Sequence, residues 1–136
     1  MDGTTDITRT YPLGPLTEDE KRFYTWTLQC HIDLAKAVWL DYCECKMIDT
    51  IAREPLWRHL INYRCGTGHS VSFVGNVHEG PHALNSRNTT RMHPGMVVTD
   101  EPGVYETDLW ASASRTSWCA CTRPITSTVP SLALNR

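Results

Sequence analysis

Residue types that bind metals or transfer protons lie in three short segments of the chain, each of which also contains glycine. Two carboxylates and one imidazole suit hard or borderline divalent cations such as Mn²⁺, with Co²⁺ or Zn²⁺ as alternatives. Two such ions lower the pKa of bound water and polarise a scissile carbonyl, and a second imidazole can bind substrate or move a proton. The residues that could supply this chemistry are Asp6, His69, His78 and Glu101.

Each of these residues also has an ordinary interpretation when it is considered alone. An aspartate at a strand end is most often a turn or capping residue, and an isolated histidine is most often a surface residue. Glu101 precedes Pro102 and Gly103, which together are a turn signal. The joint pattern of the three segments, and not any one residue, is what indicates a site.

Two helices are predicted between the segments. Thr17 and Glu20 have the spacing of a capping box, in which each side chain accepts a hydrogen bond from the other residue's backbone amide. Helical spacing of apolar residues continues to about residue 39, and a second helix is predicted over roughly 46–60, where Pro55 lies late or ends it. The side chains predicted to face inward are Tyr24, Leu28, Ile32, Ala35 and Trp39, then Met47, Ile48, Ile51 and Leu56.

Strands are predicted around the residues that could carry chemistry. Residues 4–13 contain β-forming residues and end in a stretch rich in proline and glycine. Residues 96–99 read Met-Val-Val-Thr and stop at the turn that contains Glu101. The stretch 65–80 is interrupted by glycines, which predicts short strands and tight turns.

The composition is that of an ordinary soluble domain. The 136 residues are 40% hydrophobic and 21% charged, and the net charge of -2 gives no electrostatic argument for nucleic acid or a membrane surface. Residues 1–6 lack the basic head and apolar core of a signal peptide. The six cysteines include C-x-C pairs and not the C-x-x-C of zinc sites, so reduced thiols and a cytoplasmic location are predicted.

The three segments resemble those of one enzyme family. The stretches DGTTDITRT, GTGH with the following NVHEGP, and GMVVTDEPGVY are similar to the creatinase-type metallopeptidases of pita-bread fold, and most closely to Xaa-Pro aminopeptidases. The segment IDTIAREPLW is similar as well, and the likeness covers about residues 2–108. It implies an α+β fold, a curved antiparallel sheet flanked by helices, with residues 1–109 as the C-terminal portion of the catalytic domain.

The resemblance also implies roles for single residues. Asp6, His69 and Glu101 match metal ligands of a centre that holds two divalent ions, most often Mn²⁺. His78 and Glu101 match catalytic residues: His78 contacts the substrate, and Glu101 takes the proton of the attacking water. The implied reaction is removal of an N-terminal residue that precedes proline, by attack of a metal-bridging hydroxide. The implied partners are therefore peptides with proline in second position, and a homodimeric parent is compatible with the resemblance.

Some positions depart from the family pattern. Cysteine stands at Cys65 where histidine is most common, and serine stands at Ser70 and Ser72 where glycine is usual. Four further histidines match no motif position and are predicted at the surface. They are His31, His59, His82 and His93.

Two ligands that the resemblance implies are not found. The first aspartate ligand would lie upstream of Met1, and the last ligand would follow Glu101 in a Gly-Ile-Arg-Ile-Glu-Asn strand. Residues 110–136 instead contain no Asp, Glu or Lys and show no regular period, so an irregular tail is predicted. It is possible to choose codons for residues 110–118 that encode Gly-Ile-Arg-Ile-Glu-Asn-Glu-Leu when they are read in a shifted frame. We therefore interpret 110–136 as out-of-frame sequence.

The leading interpretation is a fragment of a Xaa-Pro aminopeptidase that is inactive as written because two metal ligands are missing. The alternative is a catalytically inactive pita-bread homologue that acts as a binding module. The two missing ligands lie outside the motifs, as truncation of the chain would leave them. This favours the peptidase fragment over the binding module, since the ligand positions that the chain covers in frame keep their residues. A methionine aminopeptidase or creatinase is less favoured by the wording of the motifs.

Overall fold

Two helices and eight short strands are found in this computed structural model, which describes residues 3–106, 110–113, 116–122 and 131–135. The two helices are α1 (Glu18–Lys36) and α2 (Cys45–Trp57). The strands are β1 (Val38–Leu40), β2 (Gly68–His69), β3 (Ala83–Leu84), β4 (Val97–Asp100), β5 (Gly103–Glu106), β6 (Trp110–Ala113), β7 (Thr116–Thr122) and β8 (Ser131–Asn135).

Helix α1 begins where the capping box predicts. The Glu20 amide donates to Thr17 Oγ1 over 3.3 Å, and the Thr17 amide donates to the Glu20 carboxylate over 2.7 Å. The predicted inward face is wrong in part, because Tyr24 is 41% and Ile32 37% exposed. Helix α1 instead buries Thr27, Cys30 and Leu34. Periodicity locates an apolar stripe, but the neighbouring elements decide which stripe is covered.

Helix α2 is amphipathic and packs against α1 and the strands. Ile48, Ala52 and Leu56 are fully buried at i, i+4 spacing, whereas Met47, predicted inward, is 50% exposed. Pro55 lies inside the last turn of α2, where it has no amide to donate to the Ile51 carbonyl, and the helix ends at Trp57. The larger core cluster joins both helices to β4, and it includes Leu34, Ile48, Ala52, Leu84, Met92 and Val98.

The strands form three antiparallel sheets. The largest has the order β1-β8-β7-β4, and the others pair β2 with β3 and β5 with β6. A bridge between Ser70 and Val98 joins the end of β2 to β4. Residues 4–13 do not form the predicted strand: the segment has an isolated bridge at Thr8 and a bend at Leu13.

The C-terminal tail is not irregular throughout, which corrects the expectation from its composition. Strand β7 pairs with β4 in the register Val97↔Cys119, and β6 pairs with β5. A sheet ladder is made by backbone groups, so an open strand edge can recruit a segment without alternating polarity. The parts 107–109, 114–115, 123–130 and 136 lie outside the described residues. The out-of-frame interpretation of the tail stays a prediction.

Candidate metal centre

Two of the candidate ligands, on β2 and directly after β4, are held where the backbones of these strands approach each other closely. The His69 amide donates to Thr99 Oγ1 over 2.9 Å, and that hydroxyl donates to Glu101 Oε1 over 2.7 Å. The Glu101 amide donates to the Thr67 carbonyl over 2.7 Å. A Cβ at Gly68 would lie 1.8 Å from the Thr99 carbonyl oxygen, so only glycine allows this approach.

The third candidate ligand, Asp6, arrives on the extended N-terminal segment. Two residues before it, the Thr4 amide donates to the Phe73 carbonyl over 2.9 Å. The Gly75 amide donates to Thr4 Oγ1 over 3.2 Å. These bonds fasten the segment to the loop after β2, and the Asp6 side chain is 5% exposed.

The structure brings Asp6, His69 and Glu101 together. His69 Nε2 lies 3.2 Å from Asp6 Oδ2 and 2.7 Å from Glu101 Oε1. One donor atom from each residue lies within 4.8 Å of the others, which is the geometry of a cation site. Two carboxylates and an imidazole nitrogen are donors that Mn²⁺, Co²⁺ and Zn²⁺ accept, so the residues fit the metal that the sequence predicts.

His78 lies beside this cluster but is not part of it. Its ring centroid is 3.9 Å from that of His69, with the rings inclined at 61°. The residue is exposed, so its imidazole can reach a molecule that approaches the cluster from solvent. Its contact with substrate stays a prediction.

Cys65 lies outside the cluster of donor atoms. Its Sγ is 3.6 Å from the Gly103 carbonyl oxygen, a weak thiol hydrogen bond. Desolvation raises the pKa of the Cys65 thiol, although the residue as a whole is exposed. A raised pKa keeps the sulfur protonated near neutral pH, which is unfavourable for a metal ligand or a nucleophile.

The surface prediction for the four remaining histidines is correct for two of them. His59 is exposed and stacks on Trp26 with ring centroids 4.0 Å apart, and His93 is exposed beside Asp41. His82 is buried, with Nε2 2.7 Å from the Val97 carbonyl oxygen. His31 is largely buried, with Nδ1 3.1 Å from Asp100 Oδ2. Both corrections arise from contacts with β4, which helical spacing and motif matching do not reveal.

Sequence reasoning missed the hydroxyl residues that orient the ligands. Thr67 and Thr99 are fully buried and contact the backbone or carboxylate of Glu101. Thr4 holds the Asp6 segment. A signal was present, because each threonine lies within two residues of a candidate ligand, but threonine at such positions is equally ordinary in a strand.

In the part of the chain that the structure describes, none of the helices is long and apolar enough to cross a membrane.

Comparison with known proteins places these observations in a family. The model of metallopeptidase family M24 matches residues 1–122. A probable Xaa-Pro aminopeptidase P of Laccaria bicolor is 46% identical over 108 residues, and aminopeptidase P1 of Lotus japonicus is 45% identical over 107 residues. These matches cover 77% and 78% of this chain but only 17% and 16% of the relatives, so the chain spans about a sixth of their length.

Solved structures agree with the sequence matches. The X-prolyl aminopeptidase of Caenorhabditis elegans, described as a cytosolic enzyme with a di-nuclear active site, is 32% identical with a TM-score of 0.91. That match covers 98% of this chain and 22% of the nematode enzyme. The prolidase of Pyrococcus furiosus is 27% identical with a TM-score of 0.70, over 85% of this chain and 33% of that enzyme. The predicted α+β class is confirmed, and this chain belongs to metallopeptidase family M24, with part of its pita-bread fold.

Proposed function

We propose that this chain supplies part of a metal-dependent aminopeptidase that removes an N-terminal residue preceding proline. The observation that carries the proposal is the convergence of Asp6, His69 and Glu101 at distances that suit a shared cation. Relatives named Xaa-Pro aminopeptidases support the substrate class, which is a peptide with proline in second position. The cytosolic nematode relative supports a cytoplasmic location.

Each residue of the cluster has a defined task in this proposal. Asp6, His69 Nε2 and Glu101 hold the divalent ions, for which the family resemblance favours Mn²⁺, while the donors also accept Co²⁺ or Zn²⁺. When bound, two ions lower the pKa of a water and polarise the scissile carbonyl. Glu101 accepts the proton of the attacking water, and Thr99 holds its Oε1 in one orientation. His78, exposed beside His69, contacts the substrate.

Among the described residues the cluster has three ligands, where the resemblance implies two more. A two-metal clamp needs bridging carboxylates on both sides, so we propose that residues 1–136 by themselves bind metal weakly and do not hydrolyse peptides. Homodimer formation by the parent stays a prediction.

Titration of the chain with Co²⁺, followed by its visible absorption, tests the metal site. We expect His69→Ala and Glu101→Gln to abolish binding and His93→Ala, at an exposed histidine, to leave it unchanged. A second assay supplies a Xaa-Pro peptide to a chain that carries the shifted-frame strand in place of residues 110–118, together with an upstream segment that contains an aspartate. Binding of Co²⁺ that is unaffected by the cluster variants would contradict the proposal and favour a binding module without metal.

A further inference from the structure

A network of buried polar side chains connects helix α2 to strand β2. Arg53 Nε donates to Asp49 Oδ2 over 2.7 Å, and both side chains lie on the inner face of α2. The Thr67 hydroxyl donates to the other carboxylate oxygen, Asp49 Oδ1. Asp49, Tyr63 and Thr67 are at most 3% exposed and Arg53 is 6% exposed, so water does not compete for these bonds.

The directions of the hydrogen bonds in the network follow from counting protons. Thr67 has one hydroxyl proton, which it gives to the Asp49 carboxylate. The bond between the Tyr63 and Thr67 hydroxyls therefore has Tyr63 as donor. Burial raises the pKa of the Tyr63 phenol, so this donor keeps its proton. The Thr67 side chain is thus held from two sides in one rotamer.

Arg53 anchors the chain that leads into β2. Its two terminal nitrogens donate to the carbonyl oxygens of Tyr63 and Cys65 over 2.8 and 2.9 Å, and to Asn62 Oδ1 over 3.0 Å. Its guanidinium lies 4.2 Å from the centroid of the Tyr63 ring. Burial alone would lower the pKa of Arg53, but the Asp49 hydrogen bond and neighbouring groups raise it overall, and the side chain stays charged.

The backbone of Thr67 meets the metal centre directly. Its amide donates to the Leu84 carbonyl on β3 over 2.7 Å, and its carbonyl accepts from the Glu101 amide over 2.7 Å. His69 follows two residues later on β2. One residue therefore joins the buried network by its side chain and the segment of Glu101 by its backbone.

We infer that the Thr67 hydroxyl, held between Asp49 and Tyr63, is a positioning group that sets the relative placement of His69 and Glu101. Valine has the same shape and would fill the same space, so packing alone does not require a hydroxyl here. The hydroxyl fixes the orientation of the Thr67 peptide group, and that peptide group fixes Glu101. The claim that His69 and Glu101 bind a metal rests on the proposed function. The claim that Thr67 sets their relative placement does not.

The test uses Thr67→Val, with Thr67→Ser as the conservative variant that keeps the hydroxyl. Thr27→Val is the matched control, because Thr27 is also buried and its hydroxyl has no partner among the described residues. Hydrogen exchange is measured residue by residue on the metal-free chain. The readout is the exchange rate of the Glu101 amide divided by that of the Ala52 amide in α2. Co²⁺ affinity is measured on the same proteins.

We expect Thr67→Val to speed exchange at Glu101 about tenfold relative to Ala52, the size of one lost buried hydrogen bond. Thr67→Ser and Thr27→Val should leave the ratio unchanged. Co²⁺ affinity should fall about 10–100-fold in Thr67→Val, as for other residues that orient metal ligands, and should be largely retained in Thr67→Ser.

Equal acceleration at Glu101 and Ala52 in Thr67→Val, or the same change in Thr27→Val, would overturn the inference and leave Thr67 a purely structural residue. If Thr67→Val does not fold, Tyr63→Phe replaces it, because it removes only the donor to Thr67, and an unchanged exchange ratio there overturns the inference as well. Failure of the unsubstituted chain to bind Co²⁺ contradicts the proposed function alone, since the exchange ratio is measured without metal.

Discussion

The candidate ligands are held by two regions of different character. His69 and Glu101 lie next to the buried residues Thr67 and Thr99, of which Thr67 belongs to the network of helix α2. Asp6 is fastened through Thr4 to the loop at residues 72–76, where Phe73 is 85% and Val74 59% exposed. Buried hydrogen bonds are shielded from water, whereas exposed ones are exchanged for water at little cost. Two ligands are therefore adjacent to buried hydrogen bonds, whereas the segment that carries the third is attached to its loop through exposed ones.

This difference indicates how the site can be assembled. The core-held pair exists as soon as α2, β2 and β4 pack together, because its bonds are part of that packing. Asp6 completes the cluster only when the N-terminal segment lies against the loop after β2. Substitutions in the core region should consequently affect folding, whereas substitutions at the loop should affect the cluster with little effect on folding.

Removal of the Arg53 guanidinium should have the largest effect. Arg53→Met leaves the Asp49 carboxylate buried without its cationic partner, and breaking a buried pair in this way costs about 3–5 kcal/mol. Urea unfolding followed by fluorescence measures the loss. Arg58→Met is the control, since Arg58 forms an exposed i, i+4 pair with Glu54 on the same helix and should change little. Similar stability of the two variants would mean that the network does not hold the core region together.

A methyl group at Gly68 should be the next most damaging change. The added Cβ would lie 1.8 Å from the Thr99 carbonyl oxygen, so β2 must move away from β4. Overpacking of this kind costs about 1–3 kcal/mol. The matched control is Gly14→Ala, where no heavy atom lies within 4 Å of the new Cβ and stability should stay within about 0.5 kcal/mol. Tolerance of alanine at Gly68 would show that the approach of the two strands is not needed.

Loss of the Thr4 hydroxyl should affect Co²⁺ binding by the cluster more than it affects the stability of the fold. Thr4→Val removes the acceptor of a solvent-exposed hydrogen bond from the Gly75 amide, so the free energy of unfolding should change by about 0.5–1 kcal/mol at most. Co²⁺ binding should weaken more clearly, because the Asp6 segment then keeps the Thr4 amide bond to the Phe73 carbonyl but loses the bond from the Gly75 amide. Thr5→Val, at the exposed neighbouring position, is the control and should bind Co²⁺ normally. Unchanged binding in Thr4→Val would indicate that Asp6 is positioned by other contacts.

The smallest expected effect concerns the reactivity of Cys65, which lies two residues before Thr67 in the core-held region. Desolvation raises its pKa, so less thiolate is present at a given pH than in an ordinary thiol, and alkylation should be slower. The rate should rise with pH until the pH passes the raised pKa. Iodoacetamide labelling followed by mass spectrometry measures this, with the urea-unfolded chain as reference. Faster labelling of Cys65 in the folded chain than in the unfolded chain would contradict the raised pKa.

Much of the local structure could be predicted from the sequence. The capping box at Thr17 begins α1 as expected, and the segment from residue 96 to 99 predicts β4 to within one residue. These features depend on neighbours in the chain, which is why spacing and residue type suffice. The tail shows the limit of this reasoning, because β6 and β7 depend on partner strands that their own composition does not indicate.

The candidate ligands themselves were recognisable by sequence alone. Asp6, His69 and Glu101 lie in motifs whose residue types and order resemble one family, and the structure brings their donor atoms together. Nothing in the spacing indicated that His82 would be buried or that the inner face of α1 would contain Thr27 and Cys30. Burial of these residues depends on which helices and strands pack against them in the folded chain.

The sequence by itself determined the chemical types at the site, the helix start and the family. Only the tertiary structure decided which hydroxyls orient the ligands, that Asp49 and Thr67 meet, and that the segment before Asp6 is attached to an exposed loop. The physical reason is that a hydrogen bond is a short-range contact, formed here between residues far apart along the chain. Its partners become known only when the path of the chain between them is known.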